Sequence, residues 1–267
     1  MTGRWRAALV AVAMPAWILP VLAGTARDPA ELARTWEGAR VWLPQEPVRA
    51  VGVAALGEAD IPGAVILYAH GCDGLTRITD ETGRFLARAG HAVIAPDSFA
   101  RQEKPVSCIP ARRQGSLHRE VLAWRHAELS HALEAIGAVA ALQDRPVVLM
   151  GHSEGAIAVA TLDAPPVAAR IIEGWTCHAG WPEYRGLAAP RDAAILALVG
   201  ANDPWFRLPV LQGACGAFMG DHERGRSVVF EPPNYLHGRH WLSFDAQVQS
   251  MILSFIDESF GEDMPDR

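Results

Sequence analysis

The fold is decided by one stretch of the sequence, residues 147–160, which reads VVLMGHSEGAIAVA. An apolar run, typical of a strand covered on both faces, is followed at once by Gly-His-Ser-Glu-Gly and then by an apolar segment typical of a buried helix. A serine with a glycine two positions to each side indicates a sharp strand-to-helix turn that exposes the serine hydroxyl. Both glycines are needed, because a side chain at position 151 or 155 would collide with neighbouring backbone. We therefore predict a nucleophile elbow with Ser153 at its tip.

Further short apolar runs alternate along the chain with longer segments of helical periodicity. The short runs are predicted strands, at residues 64–69, 92–95, 147–150, 194–199 and 228–230. The periodic segments are predicted helices, at residues 117–142, 153–162 and 244–255. This alternation predicts an α/β fold, with a mostly parallel central sheet and helices on both of its faces. No linker rich in Pro, Gly or Ser follows residue 63, so we expect one domain over residues 27–267.

The composition is that of a chain able to bury one large core. Of its 267 residues, 50% are hydrophobic and 20% are charged, which excludes a disordered or fibrous protein. The 24 basic and 30 acidic residues give a net charge of −6, without a basic block that could follow a phosphate backbone. We therefore expect no nucleic-acid partner. The sequence carries no signal for a particular oligomeric state.

Residues 1–26 have the composition of a secretory signal peptide. Two arginines precede an uncharged run over residues 7–19, and Pro20 is followed by small residues with predicted cleavage sites after Ala23 and after Ala26. The alternative is an uncleaved membrane anchor, because the whole uncharged stretch over residues 7–26 is just long enough to cross the hydrocarbon core of a bilayer. Two prolines weaken such a helix. The sequence therefore favours export, to the periplasm or the medium, with no membrane contact after cleavage.

An acidic partner for Ser153 is expected after a later strand. A serine hydroxyl is a weak nucleophile unless a base removes its proton and an acid orients that base. After a nucleophile elbow, these partners follow in the order Asp or Glu, then His. Asp203 lies in the loop after the predicted strand 194–199, so we expect it to be the acid. The alternative is that Asp203 is a turn residue before Pro204.

Two histidines after the last predicted strand compete for the role of base. They are His237 and His240, in the stretch Tyr-Leu-His-Gly-Arg-His-Trp. We favour His237, because the glycine at position 238 would let its loop approach Ser153. His240 remains the alternative, since a histidine followed by tryptophan also recurs in hydrolases.

The oxyanion of a tetrahedral intermediate needs backbone N–H donors. These come from the residue after the nucleophile and from the loop after an earlier strand. Glu154 follows Ser153, and Cys72 lies in the turn HGCDG at residues 70–74, directly after the predicted strand 64–69. We therefore predict that the amides of Cys72 and Glu154 form the oxyanion hole.

Four segments together resemble the dienelactone hydrolase family of the α/β hydrolases, particularly its bacterial members with a serine nucleophile. They are HGCDG at 70–74 with a helix after it, APDSF at 95–99 with Arg101 and Cys108 beyond it, the elbow, and residues 200–205 with 235–238. The resemblance covers roughly residues 50–258. It implies an α/β-hydrolase fold with an eight-stranded sheet, hydrolysis of small ester or lactone substrates by a Ser-Asp-His triad, and no metal or other cofactor.

Two positions depart from the family pattern. The founding dienelactone hydrolases use a cysteine nucleophile where this chain has Ser153, which argues against dienelactone itself as the substrate. The family usually has phenylalanine after the His-Gly pair, where Arg239 stands here, and this keeps His240 as an alternative base.

The four cysteines are predicted to form two disulfides in an exported chain. No pair has the C-x-x-C spacing of zinc or thioredoxin-like redox sites. Cys72 and Cys108 each follow one of two successive strands, whereas Cys177 and Cys215 flank the strand that leads to Asp203. We therefore expect the pairs 72–108 and 177–215. The alternative is that some are buried free thiols.

The sequence thus predicts an exported serine esterase that acts through an acyl-enzyme on a small-molecule ester, without a cofactor. Two other functions use the same pattern. One is a catalytically silent α/β-hydrolase fold that binds a ligand or a partner, because a fold does not determine a function. The other is an acyl transferase or amidase with the same triad, which differs only in the group that attacks the acyl-enzyme.

Overall fold

Strands and helices alternate along the chain in the computed structural model, which describes residues 26–115, 118–220 and 222–260. In chain order the elements are α1 (Pro29–Glu37), β1 (Arg40–Trp42), β2 (Ala50–Val51), β3 (Val65–Ala69), α2 (Arg77–Arg88), β4 (Ala92–Ala95), β5 (Cys108–Ile109), β6 (Gln114–Gly115), α3 (Arg119–Ala138), β7 (Val147–His152), α4 (Glu154–Thr161), β8 (Ala169–Glu173), β9 (Ala194–Gly200), β10 (Gly225–Phe230) and α5 (Ala246–Ser259). The predicted signal peptide lies outside the described residues, apart from Ala26. Within them, no helix is both long enough and apolar enough to span a bilayer.

Eight of the strands form one sheet, in the order β10-β9-β8-β7-β3-β4-β1-β2. The six strands from β10 to β4 run parallel, and β1 and β2 join them antiparallel at one edge. The remaining two, β5 and β6, form a separate antiparallel hairpin. The mostly parallel sheet expected of an α/β-hydrolase fold is therefore confirmed.

Helices cover both faces of this sheet, because its central strands are apolar on both sides. Every residue of β3 is buried, with Val65 and Leu67 packed on one face and Ile66 and Tyr68 on the other. Apolar side chains of α3 and α4 complete the first of these two cores, and those of α2 and α5 complete the second. Parallel strands bring their carboxyl ends to one edge of the sheet, so the loops that leave them meet there.

Strand β8 was not predicted, although every other strand from β3 to β10 in the main sheet was. Its sequence is Ala-Arg-Ile-Ile-Glu, in which two charged residues interrupt the apolar run. Both are buried all the same, Arg170 at 1% and Glu173 at 0% exposure. The guanidinium of Arg170 donates to the carbonyls of Val159 and Leu162 at 2.9 and 2.7 Å. These acceptors lie in the last turn of α4 and just after it, outside the strand itself, so the pattern within residues 169–173 did not indicate a strand.

Candidate active site

Ser153 lies at the turn between β7 and α4, in strained backbone geometry. Its φ of 57° and ψ of −118° are unusual for a residue with a side chain. A Cβ atom at Gly151 would lie 2.3 Å from the carbonyl oxygen of Gly155, and one at Gly155 would lie 1.9 Å from that of Ala69. Both positions therefore require glycine, and the turn has the geometry expected of a nucleophile elbow.

Asp203 lies in the loop after β9 and is directed inward, with 5% of its surface exposed. Its Oδ1 accepts a hydrogen bond from the amide of Trp205 at 3.0 Å. Its Oδ2 lies 2.6 Å from Nδ1 of His240. One carboxylate oxygen thus fixes the loop, and the other is available to orient an imidazole.

The histidine beside Asp203 is therefore His240. Its ring stacks on Trp205 at a centroid distance of 5.1 Å and meets Phe206 and His152 edge-on at 5.7 and 5.0 Å. Since Nδ1 donates its proton to the carboxylate, Nε2 carries the lone pair. Nε2 is buried and has no hydrogen-bond partner among the described residues. Burial lowers the pKa of His240, against the opposing hydrogen bond and charge of Asp203.

The expected contact between His237 and Asp203 is not found in the described part of the chain, where His240 lies beside that carboxylate instead. Nδ1 of His237 lies 3.0 Å from Nδ2 of Asn202, in an exposed position. His237 belongs to the 3₁₀ turn Tyr235–Gly238, and the histidine that reaches Asp203 lies three residues later in the chain. A Cβ atom at Gly238 would meet no atom within 4 Å, so no close approach requires glycine there.

The turn after β3, which contains Cys72, packs against the elbow. A Cβ atom at Gly71 would lie 3.5 Å from Cβ of Ser153, in ordinary contact. The turn is held by His70, whose Nδ1 lies 2.6 Å from the carbonyl oxygen of Gly71 while Nε2 accepts from the amide of Ser98 at 3.2 Å. Burial, reinforced by the charge of Arg125, lowers the pKa of His70 far enough to keep it neutral. The segment that carries Cys72 is thus anchored beside the elbow.

Arg125, from the middle of α3, was not identified in the sequence as part of this arrangement. It is 3% exposed and donates to the carbonyl oxygen of His70. Its guanidinium also contacts the His70 ring and the hydroxyl of Ser98. An arginine in a helix is usually exposed, so only the folded structure shows that this one supports the turn.

The two predicted disulfides, Cys72–Cys108 and Cys177–Cys215, are confirmed. The first joins the turn after β3 to the strand β5. Ser107, next to Cys108, donates its hydroxyl to the carboxyl group of Glu154, and burial raises the pKa of that carboxyl. The residue after the nucleophile and the turn with Cys72 are therefore both attached to the segment around Cys108.

Glu173, at the end of β8, is a buried carboxylate beside the site that the sequence analysis did not identify. Its Oε1 accepts from the amides of Leu242 and Ser243 at 2.7 and 2.6 Å, and its Oε2 accepts from the hydroxyl of Ser243 at 3.1 Å. Nδ1 of His152 lies 3.6 Å from Oε2. Glu173 was not predicted because β8, the strand that carries it, was not predicted. Over the described ranges, this site included, no cluster of three or more His, Cys, Asp or Glu side chains is arranged to hold a metal ion.

Several solved structures have a similar backbone. A candidate dienelactone hydrolase from Klebsiella pneumoniae subsp. pneumoniae is 17% identical, with a TM-score of 0.53 over 82% of this chain and 98% of that one. Est1E from Butyrivibrio proteoclasticus is 13% identical, with a TM-score of 0.52 over 84% of this chain and 94% of that one. A lipase in its open form is also 13% identical, with a TM-score of 0.53 over the same shares.

These similarities support the α/β-hydrolase fold at low sequence identity, with a dienelactone hydrolase among the similar structures. No protein-family model matches the sequence, and no curated protein matches it either.

Proposed function

We propose that the protein is a serine hydrolase that cleaves small ester or lactone substrates through an acyl-enzyme on Ser153. The proposal rests chiefly on the pair Asp203–His240. The carboxylate is hydrogen-bonded to Nδ1 of the imidazole, and Nε2 has no partner among the described residues. His240 also packs against His152, the residue directly before Ser153. A histidine held in this way, next to a serine in a nucleophile elbow, is suited to remove the serine proton.

In the proposed reaction, Oγ of Ser153 attacks the carbonyl carbon of the ester while its proton passes to Nε2 of His240. The amides of Cys72 and Glu154 donate to the oxyanion that forms. When the tetrahedral intermediate collapses, the C–O bond to the alcohol breaks and His240 returns the proton to the leaving oxygen. A water molecule then attacks the acyl-enzyme, its proton goes to His240 and from there to Ser153, and the acid is released. Asp203 orients the imidazole and stabilises its protonated form.

Two observations support an ester or lactone as the substrate. The similar structures include proteins described as a dienelactone hydrolase and a lipase. Apolar side chains are also exposed in the segments that follow β4 and β9, two strands whose carboxyl ends point to the same edge of the sheet as the elbow. They are Val106 at 66%, Leu208 at 61% and Val210 at 51%. Such side chains would favour an uncharged acyl or alcohol group over a charged one. The combination of elbow, acid and histidine argues against a binding module without catalysis.

The test is turnover of p-nitrophenyl esters of rising acyl length by the wild type and by S153A. We expect the wild type to hydrolyse at least the short esters, and S153A to lose activity by a factor on the order of 10⁶ in kcat while its melting temperature changes little. S250A is the matched control, because Ser250 lies on the exposed side of α5 and donates to the carbonyl oxygen of Ala246. Wild-type turnover by S153A would contradict the proposal.

A further inference from the structure

Glu173 contacts both the nucleophile and the segment that carries the base. Its backbone carbonyl accepts a hydrogen bond from the amide of Ser153 at 2.9 Å. Its side chain accepts from the amides of Leu242 and Ser243 and from the Ser243 hydroxyl. Leu242 and Ser243 follow His240 by two and three residues, so one buried residue connects the two reacting side chains.

From these contacts we infer that Glu173 is a positioning residue that sets His240 against Ser153, an inference that rests on the proposed function. Strands β7 and β8 are in register at this level, with His152 opposite Glu173. The elbow and Glu173 therefore lie next to each other, at the carboxyl ends of these two strands. The hydrogen bonds that Glu173 accepts from Leu242 and Ser243 then fix the position of the histidine loop relative to the elbow.

The next residue, Gly174, supports the same arrangement through its backbone. It has a φ of 70°, and a Cβ atom there would lie 2.7 Å from the carbonyl oxygen of His240. The backbone of the base thus lies directly on the end of β8. The side chain of Glu173 holds the histidine loop in place. The absence of a side chain at Gly174 leaves room for the backbone of that loop.

The charge of Glu173 adds an electrostatic effect to this positioning. Burial by itself would raise the pKa of Glu173, but His152 and the amides of Ser243 and Leu242 outweigh it, and the pKa lies below its ordinary value. The titratable groups that face the carboxylate are His152 on β7, His240 in the base loop and Tyr68 on β3. A negative charge here favours the protonated form of His240, so its removal lowers the pKa of the base.

The variant E173Q tests this inference, because glutamine keeps the volume but loses the charge and offers an N–H₂ group where an acceptor is needed. We expect kcat to fall about 10- to 100-fold, as for the loss of other residues that orient a reactive group, with KM changed less than about twofold. The rate of fluorophosphonate labelling of Ser153 should fall by a similar factor. The acid limb of the profile of kcat/KM against pH should move to lower pH.

E173D and R170M are the companion variants. E173D keeps the charge on a shorter side chain, so its acid limb should stay at the wild-type position although its kcat falls. Arg170 is a buried residue of the same strand whose guanidinium donates to the backbone carbonyls of Val159 and Leu162, not to the loop that carries the base. R170M should therefore lower the melting temperature and leave kcat per labelled Ser153 and the acid limb unchanged.

Wild-type kcat per labelled Ser153 and a wild-type acid limb in E173Q would overturn the inference, even if the melting temperature falls. If E173Q does not fold, G174A replaces it: a Cβ at this position pushes on His240, and wild-type kcat in folded G174A would equally overturn the inference. The proposed function is judged separately on the wild type. If fluorophosphonate does not label wild-type Ser153, the proposed function fails; if it does and E173Q behaves as the wild type, the role of Glu173 alone is refuted.

Discussion

At the scale of single residues, the proposed chemistry depends on the surroundings of His240. Asp203 accepts a hydrogen bond from the N–H group at Nδ1, which leaves Nε2 as the proton acceptor. Trp205 and Phe206 pack against the ring and cover much of its surface. Desolvation disfavours the imidazolium, whereas the carboxylate favours it, and the first effect is the larger one here. The histidine is therefore neutral, and able to accept a proton, at ordinary pH.

This balance predicts the pH dependence of the reaction. Only neutral His240 can accept the proton of Ser153, so kcat/KM for an uncharged ester should rise with pH through one ionisation. Because burial lowers the pKa of His240, the midpoint should lie below about 6.5, the ordinary value for histidine. The profile is measured with a p-nitrophenyl ester monitored at a pH-independent wavelength, and H237A should show the same midpoint. A midpoint well above that of a free imidazole would contradict the account.

The sequence could indicate some of these residues but not all of them. The position of Ser153 follows from the two flanking glycines, and that of Asp203 from the loop after a clear strand. The choice between His237 and His240 could not be made in the same way, because both lie in one loop and only its path over β8 brings His240 to Asp203. A sequence pattern indicates the geometry of neighbouring residues, whereas the contact between His240 and Asp203 joins residues far apart in the sequence.

At the scale of elements, strand β8 shows where sequence patterns fail. A buried parallel strand is expected to be apolar, but β8 carries Arg170 and Glu173, whose hydrogen-bond partners come from elsewhere in the chain. Buried charged groups are tolerated when they are hydrogen-bonded, and here Arg170 donates through Nη1 while Glu173 accepts through both carboxylate oxygens. Glu173, one of these two charged residues, lies beside the proposed site, where its carboxylate accepts hydrogen bonds from the loop that carries His240. An apolar residue could not accept them.

The hairpin β5–β6 and the turn after β3 form a second unit, joined by the disulfide Cys72–Cys108. Replacing both cysteines by alanine should loosen the turn that carries the Cys72 amide. Losing one oxyanion donor typically costs a factor of 10² to 10³ in kcat, so we expect a decrease on the order of 10-fold for a donor that is only loosened.

The double variant C177A/C215A is the control for this prediction, since that disulfide lies away from the oxyanion turn. Its kcat should remain close to that of the wild type. Steady-state kinetics and thermal unfolding of both double variants give the comparison. Equal kcat in the two variants would show that the Cys72–Cys108 disulfide does not support the oxyanion turn.

At the scale of the whole molecule, two disulfides in one chain suit an oxidising compartment. We propose that the protein is exported to the periplasm or the medium, as the composition of residues 1–26 predicts. Protein recovered from such a compartment should show no alkylated cysteine by mass spectrometry before reduction. Four alkylated cysteines in that sample would contradict the proposal.

The disulfide Cys177–Cys215 should contribute mainly to stability. Its cysteines are 38 residues apart, and closing a loop of this length restricts the unfolded chain by about 3 to 4 kcal/mol in the chain-entropy model. C177A/C215A should therefore lower the free energy of unfolding by about that amount, as measured by urea denaturation. An unchanged unfolding midpoint would show that this loop is already restricted in the unfolded state.

The central claim is that Ser153 is activated by His240. The most direct measurement is the rate at which a fluorophosphonate modifies the protein, with the modified residue identified by peptide mass spectrometry, in wild type, H237A and H240A. The account predicts a single adduct on Ser153 in the wild type, a similar rate in H237A and a nearly complete loss of labelling in H240A. An adduct on another residue, or loss of labelling in H237A with a normal rate in H240A, would contradict it.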